Sequence, residues 1–497
     1  MHDIYIVSDL HMGRGKNPET RRFFTLENFF YDDDFARFCD YLCRDAAARN
    51  ISFKLVFNGD TFDLLRIEPD PQLQPAATGR ERRFGPAHTP AQAARTVAQI
   101  LEGHRGFVRG LAQVLNAGHA VIMLPGNHDI EVQWEPVQQE IRTAVMQHIR
   151  ITYGEVAETA AAVHLGFEEW FYHEPNRIWI EHGCQYDPEN SFRYLLRSRL
   201  VDTPDVVHET EHDLPLGNFF QRYLYNFFGH ITFIVPSTRA NARYLRWLAL
   251  HEPRILLRVA FSHLPFAIQV VRRMAQANRK TARRALQQAH DGSLASLADN
   301  SGMGLRLLAI DQLKEVRADA VQAMRSLTWQ LGKFIGSTFL LGLSAVGLWF
   351  FGLYSINQLH LDSAPATALF ICLNFSIGLV ALGGVLYFAL GSAADISPRP
   401  LRRAAQRIAT ILDIPIVSFG HSHDEEMWWL ERPSGGKAWY CNTGTWIAVF
   451  THDVLIPRER VQYSFLRIQQ TEAELLHWSP GRGEPLPVIL LDEGEVH

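Results

Sequence analysis

Five short segments of this chain share one pattern, in which an apolar run typical of a buried strand ends and polar residues follow at once. The segments read SDLH, NGDTFD, GNHD, EHG and GHSH, and they carry Asp9, His11, Asp60, Asp63, Asn127, His128, Asp129, His182, His421 and His423. The carboxyl ends of strands in α/β folds are where functional side chains collect. The pattern therefore requires a fold that brings the two ends of the chain together.

Strand and helix patterns alternate along much of the sequence. Buried strands are predicted for IYIV (4–7), FKLVF (53–57), AVIML (120–124), RIWI (177–180), IPIVSFGH (414–421), KAWYCNTG (437–444), WIAVF (446–450) and YSFLRI (463–468). Apolar residues recur at helical spacing over 91–117 and 134–149. This alternation predicts an α/β unit in which helices cover the sheets.

Length and composition narrow the class of protein. At 497 residues the chain exceeds the size at which one hydrophobic core stops growing, so at least two structural units are expected. The 48 Lys and Arg nearly balance the 53 Asp and Glu, which argues against a general nucleic-acid binder.

Five scattered cysteines without CxxC spacing indicate neither a disulfide framework nor a structural zinc site, and they favour a reducing compartment. The first residues show no signal-peptide core.

Two stretches, 334–356 and 363–394, contain no charged residue. A membrane helix needs about 20 apolar residues, so both stretches predict transmembrane helices, and the short connection 357–362 predicts a hairpin. The alternative is a helical hairpin buried in a large soluble core. Arg and Lys flank the hairpin on its outer side and are absent from its loop, which predicts an integral protein of the cytoplasmic membrane whose catalytic domain faces the cytoplasm.

The region that precedes this hairpin is rich in aromatic residues, leucines and arginines. The arginines are Arg222, Arg239, Arg243, Arg246, Arg254 and Arg258. Such a pattern is typical of a helix that lies in an anionic headgroup region. A helical cap over an active site and a soluble helical bundle are the other two interpretations.

These patterns predict one α/β domain that is split in sequence by an insertion. Its amino-terminal part covers 1–204 and its carboxyl-terminal part covers 395–470. Between them lie a basic, aromatic helical insertion (205–333) and the hairpin (334–394), and a tail (471–497) follows. The carboxyl-terminal part has too few predicted strands to form a stable pair of sheets alone.

The polar segments have the residue types that a pair of divalent ions requires. A carboxylate such as Asp60 can donate oxygens to two neighbouring ions. In DxH and HxH, residues two apart in extended chain point the same way, so both can face one metal pair. Mixed imidazole and oxygen ligands suit Mn, Fe, Zn or Ni better than Mg or Ca.

The ordered series DxH, GDxxD, GNHD, HG and GHxH resembles the calcineurin-like metallophosphoesterase superfamily over roughly 1–190 and 412–450. The resemblance implies a four-layer αββα sandwich with two metal ions, Mn before the others, at one edge of its sheets. It implies one ion held by Asp9, His11, Asp60 and His423, and a second held by Asp60, Asn127, His182 and His421. SDLH and NTGTW (442–446) are distantly similar to UDP-2,3-diacylglucosamine hydrolases.

The resemblance also implies catalytic roles. His128 would donate a proton to the leaving group, Asp63 would orient its ring, and a hydroxide bridging the metals would attack phosphorus in line. The role of Asp129 stays open, because its side chain could belong to the site or could cap the following helix. Phosphoprotein phosphatases of this superfamily carry arginines where this chain has Leu64 and Pro125, so Arg14 and Lys16 are candidate substrate-binding residues.

The sequence therefore predicts a membrane-anchored, dinuclear metal-dependent phosphoesterase or pyrophosphatase. Anchoring in the lipid bilayer predicts a phosphorylated, lipid-linked substrate. The alternatives are a nuclease or nucleotide phosphodiesterase acting on soluble substrates, and a non-catalytic membrane sensor that retains the fold. Nucleic acid is the less favoured substrate, because the overall charge is balanced and stacking motifs are absent.

Overall fold

The structure of the chain is a computed structural model. Its described residues are 2–68, 89–197, 214–223, 226, 233–234, 254, 280–316, 342–360, 362–391, 399–450 and 459–488. They belong to two compact units. The first unit is drawn from Met1–Ala240, Arg254–Val316 and Ser397–His497, and the second from Asn241–Pro253 and Arg317–Ile396.

The larger sheet of the first unit joins the beginning of the chain to its end. Its strands are β1 (His2–Val7), β2 (Ser52–Asn58), β3 (Ala120–Leu124), β4 (Leu165–Phe167), β13 (Ser464–Gln469), β14 (Glu472–Ser479) and β15 (Glu484–Pro487). The order across the sheet is β15-β14-β13-β1-β2-β3-β4. The four strands from β1 to β4 are parallel, and the three carboxyl-terminal strands are antiparallel to their neighbours, so the sheet is mixed.

A second mixed sheet contains β5 (Phe171–Glu174), β6 (Ile178–Glu181), β8 (Ile416–Phe419), β9 (Glu425–Glu431) and β10 (Lys437–Thr443), in the order β5-β6-β8-β10-β9. Here β6, β8 and β10 are parallel. A small third sheet consists of β7 (Phe233–Ile234), β11 (Ala448–Phe450) and β12 (Glu459–Val461). The fold is therefore α/β with two mixed sheets as its main framework.

The alternation of side chains along β1 shows how the layers are packed. Ile4 and Ile6 belong to the same buried cluster as Ile180 of β6, so this face of the larger sheet contributes to the core shared with the smaller one. Tyr5 and Val7 point the other way and belong to the cluster that includes helix residues. Because successive strand residues face opposite sides, each strand contributes to two cores.

Helices cover the outer faces of both sheets. On the larger sheet lie α1 (Asp32–Arg49), α2 (Pro90–Gly103), α3 (Arg105–Asn116), α4 (Glu135–Tyr153) and α5 (Glu155–Ala162). On the smaller sheet lie α7 (Lys280–Asn300), α8 (Leu305–Asp311) and α11 (Arg399–Leu412). A short helix, α6 (Leu216–Tyr223), and 3-10 turns at Ile130–Gln133, Cys184–Tyr186 and Leu195–Arg197 complete this unit's described helices.

All eight predicted strands overlap strands of the structure, and the helical spacing over 91–117 corresponds to two consecutive helices. The first, α2, begins after Thr89, whose Oγ1 accepts a hydrogen bond from the Gln92 N–H at 3.1 Å. It ends at His104, and α3 follows directly. Within the segment expected as a tail, β14 and β15 extend the larger sheet.

The break at His104 contains a buried charge network. Its Nδ1 lies 2.9 Å from Asp32 Oδ2 and its Nε2 lies 3.2 Å from Glu27 Oε2. Glu27 also accepts hydrogen bonds from the backbone N–H groups of Gly13, at 3.1 Å, and Gly15, at 2.5 Å. Burial opposes the charge on His104, but Glu27 and Asp32 outweigh it and raise the pKa to about 10.

We expect His104→Gln to lower the free energy of unfolding by about 3–5 kcal/mol near pH 6, because Glu27 would stay buried without its cationic partner. The folded-state pKa lies above the ordinary value of 6.5, so this stabilisation is complete below pH 6.5 and is lost as pH rises through about 10. Urea unfolding of both proteins at pH 6, 8 and 10 measures the difference. A pH-independent difference contradicts the prediction, and Arg105→Gln, at an exposed side chain, serves as control.

The second unit contains the helix α9 (342–358) and the helix α10 (Ser363–Gly391). The indole Nε1 of Trp349 donates a hydrogen bond to Asn374 Oδ1 at 3.0 Å, which joins the two helices. Several large apolar side chains of the pair are exposed, among them Phe351 and Phe375. In α10, side chains are described as far as residue 378.

The prediction of a transmembrane hairpin, and with it an integral membrane localisation with the catalytic domain facing the cytoplasm, is wrong on this structure. Within the described residues, no helix combines the length and the apolar character that crossing a membrane requires. A span needs about 20 apolar residues.

The interpretations of the basic, aromatic insertion concern residues that are mostly not described. Arg239, Arg243, Arg246 and Arg258 lie outside the described residues, and so does much of 205–333. The headgroup helix, the cap and the bundle therefore stay predictions. The described part that bears on the candidate site is α6.

Candidate metal centre

The ends of five parallel strands position the predicted ligands. Asp9 and His11 follow β1, Asp60 and Asp63 follow β2, Asn127 and His128 follow β3, His182 follows β6, and His421 and His423 follow β8. Within each sheet these strands run in the same direction. Their carboxyl ends meet at one edge, where the structure brings all nine side chains together.

Asp9, His11 and His423 form a compact set that we name the first group. His423 Nε2 lies 3.1 Å from Asp9 Oδ1 and 3.0 Å from His11 Nε2. His11 Nε2 lies 3.6 Å from Asp9 Oδ1. Donor atoms that share one ion at about 2.0–2.2 Å lie roughly 3.0–3.5 Å apart, so these spacings fit a common cation.

Asp60, His182 and His421 form the second group, and Asn127 lies beside them. His182 Nε2 lies 3.2 Å from Asp60 Oδ2 and 3.2 Å from Asn127 Oδ1. The other ring nitrogen of His182, Nδ1, donates to the Asn58 carbonyl at 2.9 Å. This bond sets the tautomer, because it leaves the Nε2 lone pair directed at the carboxylate and the amide oxygen.

Asp60 connects the two groups. Its Oδ2 lies 3.2 Å from His182 Nε2 of the second group and 3.7 Å from His11 Nε2 of the first. Its Oδ1 accepts a hydrogen bond from the His128 backbone N–H at 2.7 Å, which fixes the orientation of the carboxylate. A single oxygen therefore lies between two sets of ligands, as a bridging ligand must.

His128 and Asp63 form a pair at the border of the first group. His128 Nδ1 lies 2.9 Å from Asp63 Oδ1, and His11 Nδ1 lies 3.8 Å from Asp63 Oδ2. An ionised carboxylate only accepts hydrogen bonds, so His128 Nδ1 carries the hydrogen and its Nε2 points elsewhere. The His128 side chain is 10% exposed, whereas that of His11 is fully buried, so His128 is the more accessible of the two.

The centre has an unusual backbone. Asp9, His11, Asp60, His421 and His423 all have positive φ angles, between 45° and 69°. Side-chain-bearing residues seldom adopt this left-handed conformation, and it persists only where the surrounding structure enforces it. Such strain clusters at functional sites, and the sequence pattern gave no indication of it.

In the first group, the charges of neighbouring carboxylates favour a proton on His11, at a position that a metal cation could take. Burial opposes the charge on His11, but Asp63 and Asp9 outweigh it and raise the pKa to about 10. Burial, with His11 as a further cause, lowers the pKa of His423. A charged His11 therefore faces a neutral His423 across 3.0 Å. A divalent ion would replace that proton and satisfy both nitrogens together with the Asp9 carboxylate.

Asp129 does not cap the helical turn that follows it. Its Oδ1 accepts hydrogen bonds from the N–H groups of Asp60, at 3.1 Å, and Gly126, at 2.6 Å, and its Oδ2 accepts from Thr61 at 2.8 Å and Phe62 at 3.1 Å. Burial, and then the charge of Asp60, raise its pKa to about 7. Asp129 thus holds the GDTFD and PGNHD loops against each other.

NTGTW (442–446) supports the Asp9 loop from the side of β10. The Thr445 hydroxyl donates to the Asp9 carbonyl at 2.5 Å, and Ser8 Oγ lies 2.6 Å from Thr443 Oγ1. These contacts join residues near the start of the chain to residues near its end. The same stretch is also bound to the carboxyl-terminal strands, because the Thr445 N–H donates to Gln462 Oε1 at 3.0 Å and the Trp446 Nε1 donates to the Ser464 carbonyl at 2.8 Å.

The two candidate substrate-binding cations pack on aromatic rings of the loop that follows β1. The Arg14 guanidinium carbon lies 4.1 Å from the centroid of Phe24, and its Nη1 donates to the Glu68 carbonyl at 3.4 Å. Lys16 Nζ lies 4.9 Å from the centroid of Phe23. Neither belongs to the ligand clusters, so their predicted role in substrate binding stays a prediction.

Sequence reasoning did not identify two residues that contact predicted ligands. Asp187 Oδ2 lies 3.0 Å from His421 Nε2, and Asn218 Oδ1 accepts a hydrogen bond from Asn127 Nδ2 at 2.9 Å. Asp187 follows EHG by a few residues, which was the only signal for it. Asn218 lies among apolar residues in LGNFF and had no signal in the sequence.

We expect Gly126→Ala to disrupt the centre, because a Cβ at this position would lie 2.1 Å from Asp60 Oδ1 and 2.4 Å from the Asp60 backbone nitrogen. The bridging carboxylate or the loop has to move, and metal binding should weaken by at least about 10-fold. Isothermal titration with Mn²⁺ measures this. Gly292→Ala, in an open position of α7, should leave binding unchanged; equal affinities of the two variants would contradict the steric argument.

Comparisons with protein-family models and with curated proteins find no match for this chain. The function has to be argued from the centre itself. Its residues fit two divalent ions, because two adjoining groups of buried imidazole and carboxylate ligands share the Asp60 oxygen.

Proposed function

We propose that this chain is a dinuclear metal-dependent phosphoesterase or pyrophosphatase that hydrolyses a phosphate ester or anhydride. The observation that carries the proposal is the position of Asp60 Oδ2 between the first and second groups, with the His128–Asp63 pair beside them. Mixed imidazole and carboxylate ligands support Mn²⁺, and Fe, Zn or Ni would also suit them. When bound, two such ions would polarise phosphoryl oxygens and supply an acidified water for hydrolysis.

In this proposal the residues that bind the ions are distinct from the pair that transfers a proton. Asp9, His11 and His423 hold one ion, Asn127, His182 and His421 hold the other, and Asp60 is common to both. Asp63 stays ionised, because His128 and His11 overcome the effect of burial and lower its pKa well below the usual range.

His128 has the proton-transfer role. The Nδ1 of His128 is hydrogen-bonded to Asp63, so Nε2 is the atom that can donate a proton to the leaving-group oxygen. A positioned general acid of this kind typically contributes about 10²–10⁴ in rate. The partial exposure of the ring supports this role, because a substrate has to reach it.

The earlier expectation of a lipid-linked substrate depended on a membrane anchor and is not part of this proposal. A nucleotide phosphodiesterase or nuclease uses the same centre and differs only in substrate. A non-catalytic sensor would bind metal without turnover. The experiment described next distinguishes these three functions.

The test combines metal analysis with a hydrolysis screen. Purified chain is loaded with Mn²⁺ and assayed on bis(4-nitrophenyl) phosphate, 4-nitrophenyl phosphate, inorganic pyrophosphate, nucleotide diphosphates and short DNA. Two bound ions with hydrolysis of esters or anhydrides support the proposal. Two bound ions without any turnover indicate the sensor, hydrolysis of short DNA or nucleotide diphosphates alone indicates the alternative enzyme, and the absence of bound metal overturns all three.

A further inference from the structure

The second group has an outer layer of hydrogen bonds that joins two of its ligands. Asp187 Oδ2 lies 3.0 Å from Nε2 of His421, and the Asp187 side chain is largely buried. Because a carboxylate accepts, Nε2 of His421 carries the hydrogen, which leaves Nδ1 as the nitrogen that can bind an ion. Asp187 therefore determines which tautomer His421 presents.

Asn218 acts on the other ligand of this layer. It accepts a hydrogen bond from Asn127 Nδ2 at 2.9 Å and donates one from its own Nδ2 to the Asn127 carbonyl at 2.6 Å. This reciprocal pair holds the Asn127 amide so that its nitrogen faces Asn218 and its oxygen faces His182. Asn218 is fully buried, so its amide has no solvent to replace these bonds.

The two contacts belong to one layer, because α6 docks on the turn that contains Asp187. The Gly217 N–H donates to the Glu189 carbonyl at 2.7 Å. Asn190 Nδ2 donates to Asp187 Oδ2 at 2.7 Å. A Cβ on Gly217 would lie 2.1 Å from Asn190 Oδ1, so a larger residue here has to displace the Asn190 side chain that binds Asp187.

We infer that Asp187 and Asn218 are positioning residues for the second group, and that the docking of α6 sets the affinity of that group for its ion. The first group has a different set of supports, since Thr443 at the end of β10 contacts Ser8 and Thr445 just after it donates to the Asp9 carbonyl. This inference rests on the proposed function, because it requires that two ions bind. It assigns the beginning of α6 a role in the occupancy of the second group.

Mn²⁺ binding tests the inference directly. The stoichiometry and the two dissociation constants are measured on the full chain by isothermal titration, and electron paramagnetic resonance distinguishes a coupled Mn²⁺ pair from an isolated ion. Asp187→Asn, which is nearly isosteric, and Asn218→Ala should bind the first ion as the wild type does. They should bind the second about 10–100-fold more weakly and show the isolated-ion spectrum at intermediate Mn²⁺ concentrations.

Gly217→Ala tests the docking without altering a ligand or a residue that contacts one. It should weaken binding of the second ion in the same sense, because the added methyl group has to displace the Asn190 side chain that donates to Asp187. Asp299→Asn and Asn300→Ala are matched controls at exposed positions of α7 and should bind as the wild type does. Circular dichroism of the metal-free proteins shows whether each variant is folded, and Asn218→Ser is the milder replacement if Asn218→Ala is not.

The outcomes separate the two proposals. A wild type that binds two ions while the variants bind both equally well overturns the inference alone. Variants that lose both ions to the same extent also overturn it, because a general structural role predicts that result. A wild type that binds fewer than two ions overturns the proposed function, and the inference with it.

Discussion

Asp60→Asn is expected to reduce the metal content of the chain from two ions to one or fewer and to lower kcat by about 10³-fold or more. The Asp60 Oδ2 atom lies between the two groups, and an amide supplies neither the charge nor the second lone-pair set that a bridging ligand needs. Loss of several kcal/mol of transition-state stabilisation corresponds to this range of rates.

The metal content of this variant is measured by elemental analysis after gel filtration, and kcat with bis(4-nitrophenyl) phosphate at saturating Mn²⁺. Asp40→Asn, at a half-exposed carboxylate of α1, is the control and should change neither quantity. An Asp60→Asn protein that retains two ions and full activity would contradict the bridging role.

His128→Gln is expected to lower kcat by about 10²–10⁴-fold while both ions stay bound. The Nδ1 of His128 is held by Asp63, and His128 is not one of the ligands that the resemblance implies, so its removal takes away a proton donor and leaves those ligands in place. The loss should be larger for an alkyl phosphate diester than for one with a 4-nitrophenolate leaving group, because the poorer leaving group depends more on protonation.

Comparison of the two substrates is the decisive measurement for His128. A loss that is equal for good and poor leaving groups would indicate a role in binding or packing, and it would count against general acid catalysis. His164→Gln, at a histidine outside the ligand clusters, provides the control for the substitution itself. Its kcat should match that of the wild type on both substrates.

The strands that carry the ligands were predictable because their signal is local. Each is an apolar, β-rich run that ends in a turn and polar residues, and β1, β2, β3, β6 and β8 follow that pattern. Helical spacing over 91–117 correctly indicated helix, but the break within that segment has a tertiary cause. His104 interrupts it, and there Glu27 and Asp32 bind the imidazole.

The two largest differences from expectation have different causes. The apolar stretches 334–356 and 363–394 were taken as transmembrane helices because of their composition, but in the described part of the chain no helix meets the requirement for a span. The segment expected as a tail contains β14 and β15. β15 is a four-residue strand at the edge of the sheet, where much of the surface stays in water and the pattern is weak, whereas β14 is paired with a neighbour on each side.

The sequence by itself determined which carboxylates, imidazoles and amide lie at the ends of strands, and so the chemical groups of the centre. It could do so because residue type and position at a strand end are local properties. Only the tertiary structure decided which atoms face one another. The placement of Asp60 Oδ2 between two groups, the His182 tautomer set by the Asn58 carbonyl, and the hold of Asp187 on His421 and of Asn218 on Asn127 all depend on partners far apart in the chain. Orientation of a ligand is a property of its neighbours in space, and those neighbours exist only once the sheets and α6 have packed.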